Sequence, residues 1–551
     1  MEMMNSRWVG TVASIWIQLS VGASYVFGVY SPVLKSSQGY DQSTLDSVAV
    51  AKDIGANFGL LSGFLYSAVV FTSSTSASSS ASSLWFKRKI GGPWIVITAG
   101  AIQCFIGYFF MWLAVTGIIP RPPVPLMCLF MFLAAHAQTF FNTANVVTGV
   151  QNFPDYKGTI VGIIKGFLGL SGAILIQVYQ TIFVDKPSSF LLMLALVPTI
   201  IPLLLMFFIR TSDIPPSPTK SFISTEKDSL NGFSIIALLL ALYVMILIIS
   251  QNVVTYGINT RIITFTILLI GILSPSVIAF RAHLTDSRSQ YSSIDDALLI
   301  NEENRELVLT GNYDNKREIV LLDEKVPHLN LWQALRTVNF WLLFSAMACG
   351  LGSGMATVNN ISQIGGSLGY TSVETRTLVS LWSIWNFLGR FGAGFVSDYF
   401  LHLKGWARPI FMVVTLAGMG LGHLVIASGL PGALYAGSTV MGIFYGSQWS
   451  LFPTICSEIF GVTHLGTIFN TVALASPVGS YILSVKLVGF IYDKESSLNA
   501  SGHVSCVGSH CFMVSFIIMA GVCVLGCGLA LILFFRTRKF YQDVIYKKVK
   551  H

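Results

Sequence analysis

Apolar runs of about twenty residues, separated by short polar or Gly/Pro breaks, recur along the whole chain. A helix needs a run of that length to cross roughly 30 Å of hydrocarbon. Read between the breaks, the runs predict helices near 8–30, 48–71, 93–117, 125–150, 158–183 and 188–210. Two more follow near 232–250 and 260–281, then six near 339–361, 375–398, 409–428, 432–455, 465–491 and 512–536. The pattern therefore predicts an all-α membrane protein of about fourteen helices. The first run is longer than the apolar core of a secretory signal, about 7–15 residues, and lacks a small-residue cleavage site, so it is expected to stay as a helix.

Composition points the same way. Hydrophobic residues make up 53% of the 551 positions and charged ones 11%, against roughly 25% charged in a soluble domain. The cations are unevenly placed. With a cytoplasmic N-terminus, the inside loops collect Arg7, Lys87, Arg88, Lys89, Lys157, Arg210, Lys220 and Lys227, the stretch from Arg281 to Arg336, Lys404, Arg408 and the tail "RTRKFYQDVIYKKVKH". The opposite loops hold a scatter such as Lys35, Arg121, Lys186 and Lys494. Both termini are thus expected in the cytoplasm, in the plasma membrane or the vacuolar membrane. This asymmetry accounts for the net charge of +8 without a nucleic-acid partner, and the tail is expected to meet the anionic face of the lipid bilayer. Among eight cysteines, Cys506 and Cys511 share one outer loop, where a disulfide and free thiols are both open. Asn499 to Ser501 forms a sequon in the same loop.

The chain repeats itself weakly. Setting Gly39-Tyr40 on Gly369-Tyr370 brings Gly59 onto Gly389 without a gap, and "YKGTIVGIIKGFLGLSGAI" matches "HLGTIFNTVALASPVGSYI" through Gly158-Thr159 and Gly466-Thr467. Two parallel-related six-helix bundles, residues 1–210 and 338–551, are expected. Between them, 211–337 holds two extra helices and a polar cytoplasmic segment, 282–337. Asp295 to Ile300 fits an acidic dileucine pattern, and the serine tract Ser73 to Ser83 reads as flexible loop.

"GAGFVSDYFLHLKGWAR" resembles the cytoplasmic loop signature of the major facilitator proteins, with Gly394, Asp398, Lys404, Gly405 and Arg408 in its roles. "ANFGLLSG", "GGPW", "QNFPDYKGTIVGIIKGFLGLSGAI" and "SEIFG" look like the plant nodulin-like transporters, across both halves. The resemblance implies a major facilitator fold and a multi-pass carrier of a small-molecule substrate. It also implies that Asp398 sits against the start of a neighbouring helix, whose dipole favours a carboxylate, and gates alternation with Arg390, Gly394, Lys404 and Arg408. A purely structural loop is the other reading. Arg390 is expected either to pair with Asp398 or to snorkel. Ser67 replaces the Asp that the pattern requires in the first half.

Polar groups inside spans mark candidate sites. Gln138, Asn142, Asn145 and Gly149 share one face of the fourth helix. Gln138, Asn142 and Asn145, with His136, Lys165, Asn359, Asn386, Gln448 and Asn470, make the expected substrate-binding set, interhelical hydrogen bonding being the alternative for each amide. Lys165 and Lys486 can also snorkel, His136 can be a neutral packing histidine, the favoured reading over a proton carrier, and Asp53 can simply pair with an outer-loop cation. Proton coupling would need Asp53 or His136, because no Glu is read as deep in a span. A cavity with cations and amides but few carboxylates suits a neutral or anionic solute, and the wording around Arg390 also resembles carboxylate porters, which favours a small organic anion. No nucleophile elbow, P-loop, metal-ligand spacing or cofactor motif occurs, so no enzyme, metal or cofactor is expected. A secondary carrier is the leading function, with a non-transporting receptor or assembly protein of the same fold as the alternative. Oligomeric state is left open, a monomer being sufficient.

Overall fold

The computed structural model describes residues 6–71, 92–183, 186–212, 220–254, 256–299, 325–495, 497–498 and 504–550. The serine tract and the sequon lie outside them. Among the described residues there are fourteen long helices: α1 (Arg7–Gln38), α2 (Thr44–Val70), α3 (Pro93–Val115), α4 (Val124–Asn152), α5 (Lys157–Ile182), α6 (Pro187–Phe208), α7 (Ser224–Gln251), α8 (Ile258–Ser287), α9 (Val338–Ser367), α10 (Ser372–Lys404), α11 (Pro409–Ala427), α12 (Ala433–Ile459), α13 (Leu465–Glu495) and α14 (His510–Lys550). Twelve are long and apolar enough to cross a membrane. The other two, α10 and α12, have the length at 33 and 27 residues, but α10 carries Arg390 and Asp398 and α12 is rich in Gly, Ser and Thr.

The repeat has a physical basis at its two Gly-Tyr pairs. Gly39 and Gly369 take φ of 70° and 80°, the left-handed region that lets a helix stop within one residue. The next helix then starts at a side-chain cap, Asp41 accepting the Thr44 N–H and Thr371 accepting the Glu374 N–H. Helices α1 and α9 therefore turn into α2 and α10 by the same device.

The second match sets where the two sets of helices cross. Helix α5 crosses α10, and α13 crosses α2. A Cβ on Gly394 would lie 2.2 Å from the Gly158 carbonyl oxygen, and one on Gly63 would lie 2.5 Å from that of Gly466. Such contacts hold helices together where lipid supplies no hydrophobic drive. Gly394→Ala is therefore expected to destabilise by about 1–3 kcal/mol, the usual range for overpacking. Gly392→Ala, with nothing within 4 Å of its added Cβ, serves as the control in thermal unfolding of the purified protein.

Helices α7 and α8 pack on each other, α8 packs on α1, and α7 reaches α5 and α10. Arg7 of α1 ties them down, bonding Glu226 at 2.5 Å and lying 3.5 Å from Asp286, which also accepts the Trp8 indole N–H at 2.7 Å. Glu226, at the start of α7, went unread as a membrane-edge charge. Cys506 and Cys511 are joined as a disulfide at the head of α14.

Candidate functional site

A cavity of about 1260 Å³ lies between α1, α2, α4 and α5 on one side and α9, α10, α12 and α13 on the other. It opens at the end where α2 begins and α13 finishes, with Asp46, Lys52, Asp53, Lys486 and Asp493 around the mouth. The opposite end, where the cation-rich loops lie, is closed.

Two cations form the floor. Lys165 of α5 is 2% exposed, and its Nζ faces the rings of Trp449 at 5.2 Å, Phe469 at 5.6 Å and Phe452 at 5.9 Å. Arg390 of α10 is also 2% exposed and lies over Trp449 at 5.7 Å. Its Nε donates to Asn386 Oδ1 at 2.7 Å, one helical turn earlier on the same face. Its two terminal nitrogens donate to the Lys165 carbonyl at 3.1 Å and the Tyr25 hydroxyl at 3.3 Å. Tyr25 reaches in because α1 breaks into a 3-10 segment over Gly22–Val26. In the same break Ser24 donates to Gln138 at 2.6 Å.

A second break, at Phe58 and Gly59 in α2, makes room for Asn470. A Cβ on Gly59 would meet the Asn470 Oδ1 at 2.2 Å. Asn470 donates to Thr143 of α4 at 2.7 Å, which seals the floor between the two sides.

Of the expected binding residues, Gln138, Asn142, Lys165, Asn359, Asn386 and Asn470 line the cavity, as does Asp53. Three lie elsewhere. His136 is turned about 200° from Gln138 by helical geometry and faces α3, where its Nδ1 meets Gln103 Oε1 at 2.7 Å and its ring stacks on Phe132. Asn145 keeps the face of Gln138 and Asn142 but sits past the Asn470–Thr143 seal, fully buried. Gln448 points away from its cavity-lining neighbour Trp449, toward Gly350 of α9 and the Met419 sulfur of α11. Lys165 does not snorkel. Lys486 sits at the mouth beside the Tyr481 ring at 5.6 Å.

The closed end is built around Asp398, which accepts the backbone N–H groups of Gly158 at 3.1 Å and Thr159 at 2.5 Å, the first turn of α5. A helix start offers unpaired N–H donors and a favourable dipole to a carboxylate. Arg408 bonds Asp398 at 2.6 Å and both Glu458 oxygens at 2.8 and 2.9 Å, and Tyr541 of α14 donates to Glu458 at 2.8 Å. Burial works against the charge on Arg408, but Glu458 and Asp398 outweigh it and raise its pKa. Two expected gating residues fall outside this cluster. Arg390, two turns deeper than Asp398, belongs to the cavity floor and neither pairs with Asp398 nor snorkels. Lys404 lies over the Trp406 ring at 5.5 Å. Glu458 and Tyr541 were missed: the "SEIFG" block marked the place of Glu458 as family wording, without showing that its charge is used. At the equivalent end of α2, the Ser67 hydroxyl has no hydrogen-bond partner, so among the described residues the clasp exists in one half alone.

The chain matches two family models, Nodulin-like over residues 7–85 and 86–280, and NFD4, C-terminal domain, over 325–543. It is 26% identical to the protein NUCLEAR FUSION DEFECTIVE 4 of Arabidopsis thaliana, covering 98% of this chain and 91% of that one. A probable transporter MCH1 of Yarrowia lipolytica is 32% identical over 27% of this chain and 31% of that one. Among solved structures, the proton:xylose symporter XylE superposes with a TM-score of 0.52 at 12% identity, covering 94% of each chain. The E. coli fucose:proton symporter FucP gives 0.50 at 12% identity, over 95% of this chain and 98% of that one. Helices, cavity and motifs agree with these likenesses: the chain is a multi-pass integral membrane protein with the major facilitator fold and belongs to the nodulin-like family.

Proposed function

We propose that the protein is a secondary carrier of a small organic anion, working by alternating access. The observation that carries this reading is the cavity floor, where Lys165 and Arg390 are buried without a carboxylate partner among the described residues. A buried cation without a counter-ion is unfavourable until an anion joins it. The arrangement is an outward-open state, with the cation-rich face and both termini in the cytoplasm, in the plasma or vacuolar membrane. Transport then follows when the mouth closes and the Asp398–Arg408–Glu458 clasp lets go. Asp53, beside Lys52 at 3.1 Å in the mouth, is the coupling candidate, since His136 is walled off by α3.

The test is uptake of labelled carboxylates, amino acids and sugars into proteoliposomes. Saturable uptake is expected for carboxylates alone, falling by about a hundredfold in Lys165→Ala, as for truncating a buried charge contact. Asp53→Asn is expected to remove any stimulation by an imposed pH gradient while leaving counterflow exchange intact. Sugar or amino-acid uptake that ignores Lys165→Ala would overturn the anion reading.

A further inference from the structure

We propose that the floor of this cavity takes a two-headed anion, a short dicarboxylate, with one carboxylate on Lys165 and the other on Arg390. The inference rests on the organic-anion reading and narrows it by charge and shape.

Charge comes first. The carboxylates that line the cavity, Asp46, Asp53 and Asp493, all belong to its mouth, and Asp53 is paired with Lys52. Facing the floor are Lys165 from α5, Arg390 and Asn386 from α10, Tyr25 from α1, Trp449 from α12 and Phe469 and Asn470 from α13, and none carries a negative charge. The Lys165 ammonium has neither hydrogen bond nor ion pair among the described residues, only three aromatic faces. Arg390 spends three N–H groups on Asn386, Lys165 and Tyr25, which leaves two of the five donors of a guanidinium free. A monoanion would leave one of the two cations without a counter-ion in a site where that is costly. A dianion satisfies both.

Shape follows. The cations stand on different helices, one in each half, yet both face the ring of Trp449, at 5.2 and 5.7 Å. A chain of a few carbons with a charge at each end can offer one carboxylate to each cation and its methylene groups to the indole. One doubly charged head, as in a phosphate monoester, would have to serve both from a single point. A ligand held at both ends ties α5 to α10 just above the Gly158–Gly394 contact, so occupancy of the site bears on how the two halves sit together.

Equilibrium binding to the full-length purified protein at pH 7.5 tests this with succinate, butyrate and propyl phosphate as probes. Succinate is expected to bind at least ~10-fold more tightly than either of the others, a ratio equal to one charge contact of about 1.4 kcal/mol. In Lys165→Gln the succinate-to-butyrate ratio falls to near one, and in Lys165→Arg it is retained. Butyrate binding as tightly as succinate to the wild-type protein overturns the two-headed site while leaving the anion reading in place. Propyl phosphate binding more tightly than succinate overturns the two-ended geometry. Failure of all three to bind folded protein that binds a neutral solute overturns the anion reading itself. The wild-type ratios decide the matter even where Lys165→Gln does not fold.

Discussion

Arg408→Ala is expected to destabilise the outward-open state by about 3–5 kcal/mol, the range found when one partner of a buried ion pair is removed. Arg408 is 1% exposed and holds two carboxylates that are themselves buried, Asp398 and Glu458. Without the guanidinium they remain as two buried carboxylates that repel each other. The Gly158 and Thr159 N–H groups still serve Asp398, and Tyr541 still serves Glu458, but none of these carries a full positive charge, and Lys157, the cation that still acts on Glu458, makes no ion pair with it among the described residues. Since every 1.4 kcal/mol is tenfold in an equilibrium, the population moves by roughly two to three and a half orders of magnitude toward states in which those carboxylates reach water. The nearest is the one with the cation-rich face open.

Alkylation of a single cysteine at Thr148, buried beneath the cavity floor against Tyr66, reads this directly. Its rate from that face is expected to rise steeply in Arg408→Ala. Adding Asp398→Asn and Glu458→Gln to the same chain should restore most of the thermal stability, because the penalty lies in the charges left behind. A loss that the added substitutions do not relieve would show that Arg408 acts by packing.

How much of this was readable in the sequence differs from feature to feature. The fourteen helices were legible because their lengths are set by the bilayer and their breaks by Gly, Pro and charge. The Gly-Tyr repeat was legible because left-handed glycines and capping side chains are local chemistry. Asp398 at the start of α5 was legible through the family motif. Facing directions were not. Arg390 was set beside Asp398 from spacing along one helix, yet its partners Tyr25 and the Lys165 carbonyl come from other helices, brought there by the 3-10 break in α1. His136 and Gln138 are two residues apart, and periodicity shows that they diverge, but only packing shows which one meets the cavity. Tyr541 joins Glu458 across 83 positions of chain, which no local pattern encodes.

Arg390 should be the most sensitive single residue for transport. Arg390→Ala removes a cation from the floor and also takes the Arg390 donor away from Asn386 Oδ1. Truncating a buried, hydrogen-bonded charge partner of a ligand weakens binding by about 2–5 kcal/mol, or roughly thirty- to several-thousandfold. The conservative exchange is informative. Arg390→Lys keeps the charge but replaces a planar fork of five donors by a point charge with three. It cannot reach Asn386, the Lys165 carbonyl, Tyr25 and a substrate carboxylate together. Uptake in proteoliposomes is therefore expected to fall at least ~10-fold in Arg390→Lys, with the loss carried by KM. Near-normal uptake in Arg390→Lys would reduce Arg390 to a source of positive potential. A large loss there, beside retained function in Lys165→Arg, would distinguish the two cations: Arg390 fixes the geometry of the site by its fork, and Lys165, held only by aromatic faces, contributes its charge.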